Sequence, residues 1–184
     1  MTTLSNRTRA LEAAVQVLGS QGVRALTHAR VDEAAGLPKG STSNSFRTRA
    51  SLLAGVVEWL DAADRSALDD HGERMPQTAE QFVDALTSFA LIATGPERAR
   101  TTARFALFVE AAHNDTLRET LARGRAHVLA GAEATLRALG AQDPVTSART
   151  IGAVSDGVML HRLTVDPGLD PRPHLQAAVD AALH

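Results

Sequence analysis

Apolar residues recur at helical spacing along nearly the whole chain, and nowhere at every second residue. Leu11, Ala14, Val15 and Leu18 fall at i, i+3, i+4 and i+7. The same spacing returns in Leu53, Val56, Val57 and Leu60, and in Phe82, Ala85, Leu86 and Phe89. Such a stripe covers one side of an α-helix, which must then pack against another helix. No β-strand pattern competes, because alternation is absent, aromatics make up only 3% and Tyr is missing. The chain is therefore expected to be all-α, a nine-helix bundle.

Caps and breakers divide the stripes. The first helix is expected from Ser5 or Asn6 to Ser20, with Gly22 ending it. Thr27 is a good N-cap for the second, and Gly36-Leu37-Pro38 stops it. A third helix is expected over Lys39 to Ser45, with Pro38 near its start. Thr48 can cap a fourth, Arg49 to Leu68, followed by a polar loop from Asp69 to Gln77. Thr78 opens the fifth and Gly95-Pro96 breaks it, the sixth starting at Pro96. Asn114 or Asp115 caps a seventh that reaches Leu139. Asp143-Pro144 starts an eighth ending near Val165, and the ninth begins near Pro171.

The densest functional stretch is Thr27 to Arg49, two small helices around a tight turn. That is the outline of a helix-turn-helix. The second of the pair offers Ser41, Thr42, Ser43, Asn44 and Ser45, small side chains that hydrogen-bond without bulk. A helix in a DNA major groove needs such groups. Ser41, Thr42 and Asn44 are expected at base edges, and Lys39, Arg47 and Arg49 at phosphates. Arg30 either reaches the backbone or meets only solvent. The blander alternative is a polar loop between buried helices. Charge is distributed to match the DNA reading. Residues 1–51 carry seven basic and three acidic side chains, +4; the remainder carries 12 and 18, −6. A basic head on an acidic body suits a DNA reader with a separate regulatory part.

Other classes find little support. There is no Cys for a disulfide, a thiolate or a cysteine metal site. No apolar run is long enough to span a bilayer, and Met1 to Arg9 does not read as a signal peptide, so a cytoplasmic protein without a membrane partner is expected. Glu110 and His113 have the Glu-x-x-His spacing of carboxylate-bridged di-metal bundles, but such a site needs two copies. No metal, cofactor or enzymatic activity is expected. A bundle metalloenzyme and an interaction module that has lost DNA reading stand as the alternatives.

The head resembles the TetR family of one-component bacterial transcriptional regulators. The resemblance is carried by Gly22-Val23, Thr27, Val31, Ala34-Ala35-Gly36-Leu37, Lys39-Gly40-Ser41, Phe46, Arg49 and Leu52-Leu53. It covers about Ser5 to Leu53. It implies that Thr27 caps the second helix and touches a phosphate, and that Lys39 to Asn44, Ser43 included, lie in or beside the groove. Arg49 matches a basic residue that holds the DNA backbone. The chain departs from the family's pattern near Ser43, where Tyr is usual, near Asn44 or Ser45, where His is usual, and at Arg47, often Pro. The resemblance implies residues 1–50 as the DNA-binding domain and 51–184 as a ligand-binding and dimerisation domain.

The family's function implies a repressor released from a palindromic double-stranded operator by a small apolar or amphipathic molecule. The expected pocket residues are Trp59, Phe82, Phe89, Phe105, Phe108, His113 and Met159, each weighed against plain core. Both His113 and His161 lie near apolar stripes, where a buried His is the simpler expectation. The family dimerises through its last two helices. The eighth helix is apolar on two sides, and an isologous contact is expected from Ile151, Val154, Val158, His161, Leu175 and Val179.

Overall fold

Local capping sets most helix starts in the computed structural model, which describes residues 5–71 and 75–184. Helix α1 spans Asn6–Gln21, and the Ser5 hydroxyl accepts the Thr8 amide at its N-terminus. Gly22, at φ 79°, ends it and leads into a 3₁₀ turn, Val23–Ala25. Thr27 caps α2, His28–Ala34. Helix α3 is Ser41–Ser45 and α4 is Arg49–His71. Thr48 and Ser51 cap α4 reciprocally, each side-chain oxygen accepting the other's amide at 3.0 Å. Thr78 caps α5, Ala79–Thr94. Helix α6 is Arg98–Ala111, and α7 is Asp115–Ala138, with the Asn114 side chain accepting the Leu117 amide. Asp143 caps α8, Pro144–Thr164, with Pro in its first turn, and α9 is Arg172–Leu183. The described residues thus form nine α-helices and no strand. None of these helices is long and apolar enough to cross a membrane.

Three expected boundaries move. The third helix starts at Ser41, because Gly40 takes φ 89° and the Pro38 carbonyl accepts the Ser41 amide in a turn. The sixth starts at Arg98, because the Ile92 carbonyl accepts the Glu97 amide and closes a turn over Gly95-Pro96. The loop expected from Asp69 is still helical at His71; 72–74, with Gly72, lie outside the described residues.

The chain forms two compact units. One joins Met1–Ala67 to Ala99–Gly124, and the other joins Leu68–Arg98 to Arg125–His184. The first is built on one core, with Leu11, Val15 and Leu18 of α1, Leu26, Val31 and Phe46 of the head, and Leu52, Leu53, Val56 and Leu60 of α4. Leu107 of α6 and Leu117 of α7 complete it. Three helices at the N-terminus do not close their own core; α4, α6 and the start of α7 supply the rest. Here α1 passes so close to α6 that a Cβ on Gly19 would overlap the Ala99 carbonyl.

In the second unit α5, α8 and α9 pack against one another. Phe82, Val83, Leu136, Ala148, Ile151 and Val179 form its core. This corrects the expected dimer surface. Ile151, Val158, Leu175 and Val179 are between 0% and 7% exposed, so they are spent inside their own subunit. An apolar stripe marks burial, and these residues meet the chain's own helices. Val154 is half-buried and His161 is exposed. His113 is also exposed, against the expectation of a buried imidazole.

Candidate nucleic-acid interface

The turn between α2 and α3 is fixed by backbone geometry before any side chain is considered. Gly36 takes φ 59° at the end of α2, and Asp32 and Glu33 carbonyls accept the Leu37 and Gly36 amides. This is the paired closure that a left-handed residue makes possible. The Arg9 guanidinium on α1 donates to the Ala35 carbonyl at 2.7 Å and to the Gly36 carbonyl at 3.3 Å. A cation at a helix C-terminus satisfies carbonyls that the helix leaves free.

Helix α3 has only five residues, too few to persist by their own hydrogen bonds. It is held from α2 instead. Asp32, 3% exposed, accepts the Gly40 amide on Oδ2 at 2.8 Å. Its Oδ1 accepts the Thr42 amide at 2.8 Å and the Thr42 hydroxyl at 2.6 Å. Burial pushes this carboxyl up, but the hydrogen bonds from Thr42 and Gly40 and the nearby His28 outweigh it and hold it below the ordinary 3.8. At the other end of α3, His28 Nε2 lies 2.7 Å from the Phe46 carbonyl. A carbonyl only accepts, so Nε2 carries the proton. The Phe46 ring is buried in the core with the Arg7 guanidinium 4.9 Å from its centroid.

Against this frame the expected DNA residues separate. Lys39, Ser43, Asn44 and Arg47 are exposed. Ser41 is half-buried and its hydroxyl donates to the Pro38 carbonyl. Thr42 is a correction: it is 0% exposed and is bound to Asp32, so it faces the protein and reaches no base edge. Thr27 is exposed with its oxygen taken by the Arg30 amide. The Arg30 side chain donates twice to Gln21 and lies 3.9 Å from Glu33. Arg49 donates to the Val23 carbonyl at 2.9 Å and pairs with Glu110 at 3.3 Å.

Glu110 is therefore a partner of Arg49, and among the described residues no cluster of three metal-capable side chains occurs. Sequence reasoning missed Asp32, His28, Arg7 and Arg9. One signal was present: His28 and Asp32 fall at i and i+4 of α2, with Ala35 at i+7 just past its end, a polar pair on a stripe that faces inward.

The expected pocket residues lie in both units. In the first, Trp59 is half-buried with the Arg100 guanidinium 5.5 Å from its ring, and half-buried Phe105 and Phe108 meet edge to face at 5.8 Å. In the second, Phe82 and Met159 are buried, Phe82 among its core, while Phe89 is 47% exposed.

Known proteins give the arrangement a context. A family model described as "Tetracyclin repressor-like, C-terminal domain" matches residues 77–184, more than half of the chain. A structure described as a TetR-family transcriptional regulator from a Rhodococcus species is 26% identical. It covers 97% of this chain and 99% of its own, with a TM-score of 0.79. A transcriptional regulator from Rhodococcus sp. Rha1 is 22% identical over 97% of this chain and 94% of its own, with a TM-score of 0.79. The multidrug binding protein EbrR, complexed with ethidium, is 24% identical over 97% and 99%, with a TM-score of 0.76. No curated protein matches by sequence. The matched C-terminal region and the shared fold, carried behind a helix-turn-helix head, lead to one conclusion: the chain belongs to the TetR family of DNA-binding transcriptional regulators and is not an enzyme.

Proposed function

We propose that this protein is a ligand-released repressor that binds a palindromic double-stranded operator as a homodimer. Residues 1–50 read DNA, and 51–184 bind the effector and dimerise. The observation that carries the reading is the outer face of α3. Ser43 and Asn44 are exposed there, with exposed Lys39 and Arg47 at either end. Hydroxyl and amide groups suit base edges, and the two cations suit phosphates. Arg49 and Arg30 already have protein partners, so they contribute to DNA binding chiefly by exchanging those partners. For dimerisation, exposed Leu160 and Val165 of the α8 end replace the buried residues as interface candidates, beside Val154 and His161. Effector binding makes the DNA-bound conformation less favourable by the difference in its affinity for the two states.

The effector is proposed to be a small apolar or amphipathic molecule, which the ethidium complex of EbrR supports by likeness of fold. Trp59, Phe105 and Phe108 are the aromatic contacts we favour in the first unit, and Phe89 in the second. The test begins with selection of duplexes from a randomised pool, followed by gel shift on the winner at several salt concentrations. Enrichment of an inverted repeat, with ethidium lowering its affinity, is the expected result. No enriched sequence would sink the reading. Trp59 is the sole Trp, so its fluorescence reports ethidium binding independently.

A further inference from the structure

Helix α3 is tied to α2 at its N-terminal end by a buried carboxylate. Asp32 takes three hydrogen bonds from Gly40 and Thr42, all between 2.6 and 2.8 Å. Thr42 has no exposure. At ~100° per residue, the side of α3 opposite Thr42 is centred on Asn44, with Ser41 and Ser43 flanking it. Turning α3 by one residue would take Thr42 off the carboxylate and leave two buried polar groups without partners. The rotation of α3 about its own axis is thereby fixed from α2, and His28 bonds its far end through the Phe46 carbonyl.

We propose that Asp32 is a positioning residue for DNA reading: its grip on Gly40 and Thr42 sets which face of α3 turns outward, and hence which side chains meet base edges. This rests on the DNA reading proposed above. Asp32 touches no DNA itself. It acts on specificity more than on overall affinity, because phosphate contacts supply most sequence-independent binding and base contacts supply discrimination.

The test uses the full chain and two duplexes at one salt concentration: the sequence the natural protein selects from a randomised pool, and a scramble of the same composition. The readout is the ratio of the two affinities. Asp32→Asn puts an amide donor where one of three donors must be accepted. Thr42→Val removes the hydroxyl at nearly constant shape, and Thr42→Ser keeps it. Both Asp32→Asn and Thr42→Val should lower the ratio by about tenfold or more, while affinity for the scramble changes less than about threefold. Thr42→Ser should keep the natural ratio. Folded Asp32→Asn and Thr42→Val proteins with the natural ratio would overturn the proposal. So would fast exchange of the Gly40 and Thr42 amides in the natural protein, a measurement that needs no variant to fold. A natural protein that selects no duplex sinks the regulatory reading and this inference together. One that selects a duplex while the variants keep its ratio sinks this inference alone.

Discussion

Asp32 is a carboxylate almost without water, and its charge is held by donors from a neighbouring helix. That arrangement has a pH signature. Its folded carboxyl titrates below 3.8, and its unfolded one near the ordinary value. The stability it contributes is complete above the unfolded value and is lost as pH falls through the folded one. The gap in urea-unfolding stability between the natural protein and Asp32→Ala should therefore be full at pH 5 and narrow as pH falls below the ordinary carboxylate value. A gap that stays constant to pH 3 would show that the charge contributes nothing. The exposed cations at either end of α3 are a separate matter. Replacing Lys39 and Arg47 with Ala should weaken binding to selected and scrambled duplexes alike. It should also reduce the slope of log K against log salt by about 0.9 for each lost phosphate contact. A loss confined to the selected duplex would place them at bases instead.

At the scale of the helix, two glycines inside helices differ sharply. Gly19 in α1 sits where a Cβ would overlap a backbone carbonyl of α6, so one helix must shift to admit it. Gly131 in α7 is exposed, with nothing within 4 Å of its added Cβ. Gly19→Ala should destabilise by about 1–3 kcal/mol, even against the gain in helix propensity. Gly131→Ala should be neutral or stabilise by up to about 1 kcal/mol. Thermal melts of the two variants settle it, and equal shifts would contradict the packing of α1 on α6. Helix starts were legible from the sequence because capping is local: Thr27, Thr48, Thr78, Asn114 and Asp143 all act within three residues of themselves. The inward turn of Thr42 was not legible. Five residues show no period, and the group that claims it lies ten positions earlier in the chain. Four of the residues expected at the dimer surface are core for another reason. The spacing of Ile151, Val158, Leu175 and Val179 specifies burial, but not whether the covering helix comes from the same chain.

For the whole molecule, the dimer proposal now depends on exposed residues at the C-terminal end of α8 and just past it. Leu160 is 44% exposed and Val165 67%. Leu160→Asp places a charge where an isologous contact would meet its own copy, so the unfavourable group occurs twice. Analytical ultracentrifugation should show the natural protein as a dimer and the variant shifted to monomer, with helical content unchanged. A variant that stays dimeric moves the interface elsewhere. The first unit's core carries a consequence for the birth of the protein. Its N-terminal helices rest on Leu107 and Leu117, contributed by α6 and α7. While the chain is being made, Leu52, Leu53, Val56 and Val57 leave the ribosome long before the surfaces that cover them. A fragment ending at residue 67 should therefore lack a cooperative unfolding transition and should stick to apolar dyes. The part of the protein that reaches the solvent first is then among the last to become competent, and a half-made regulator has no finished reading head to place on a gene.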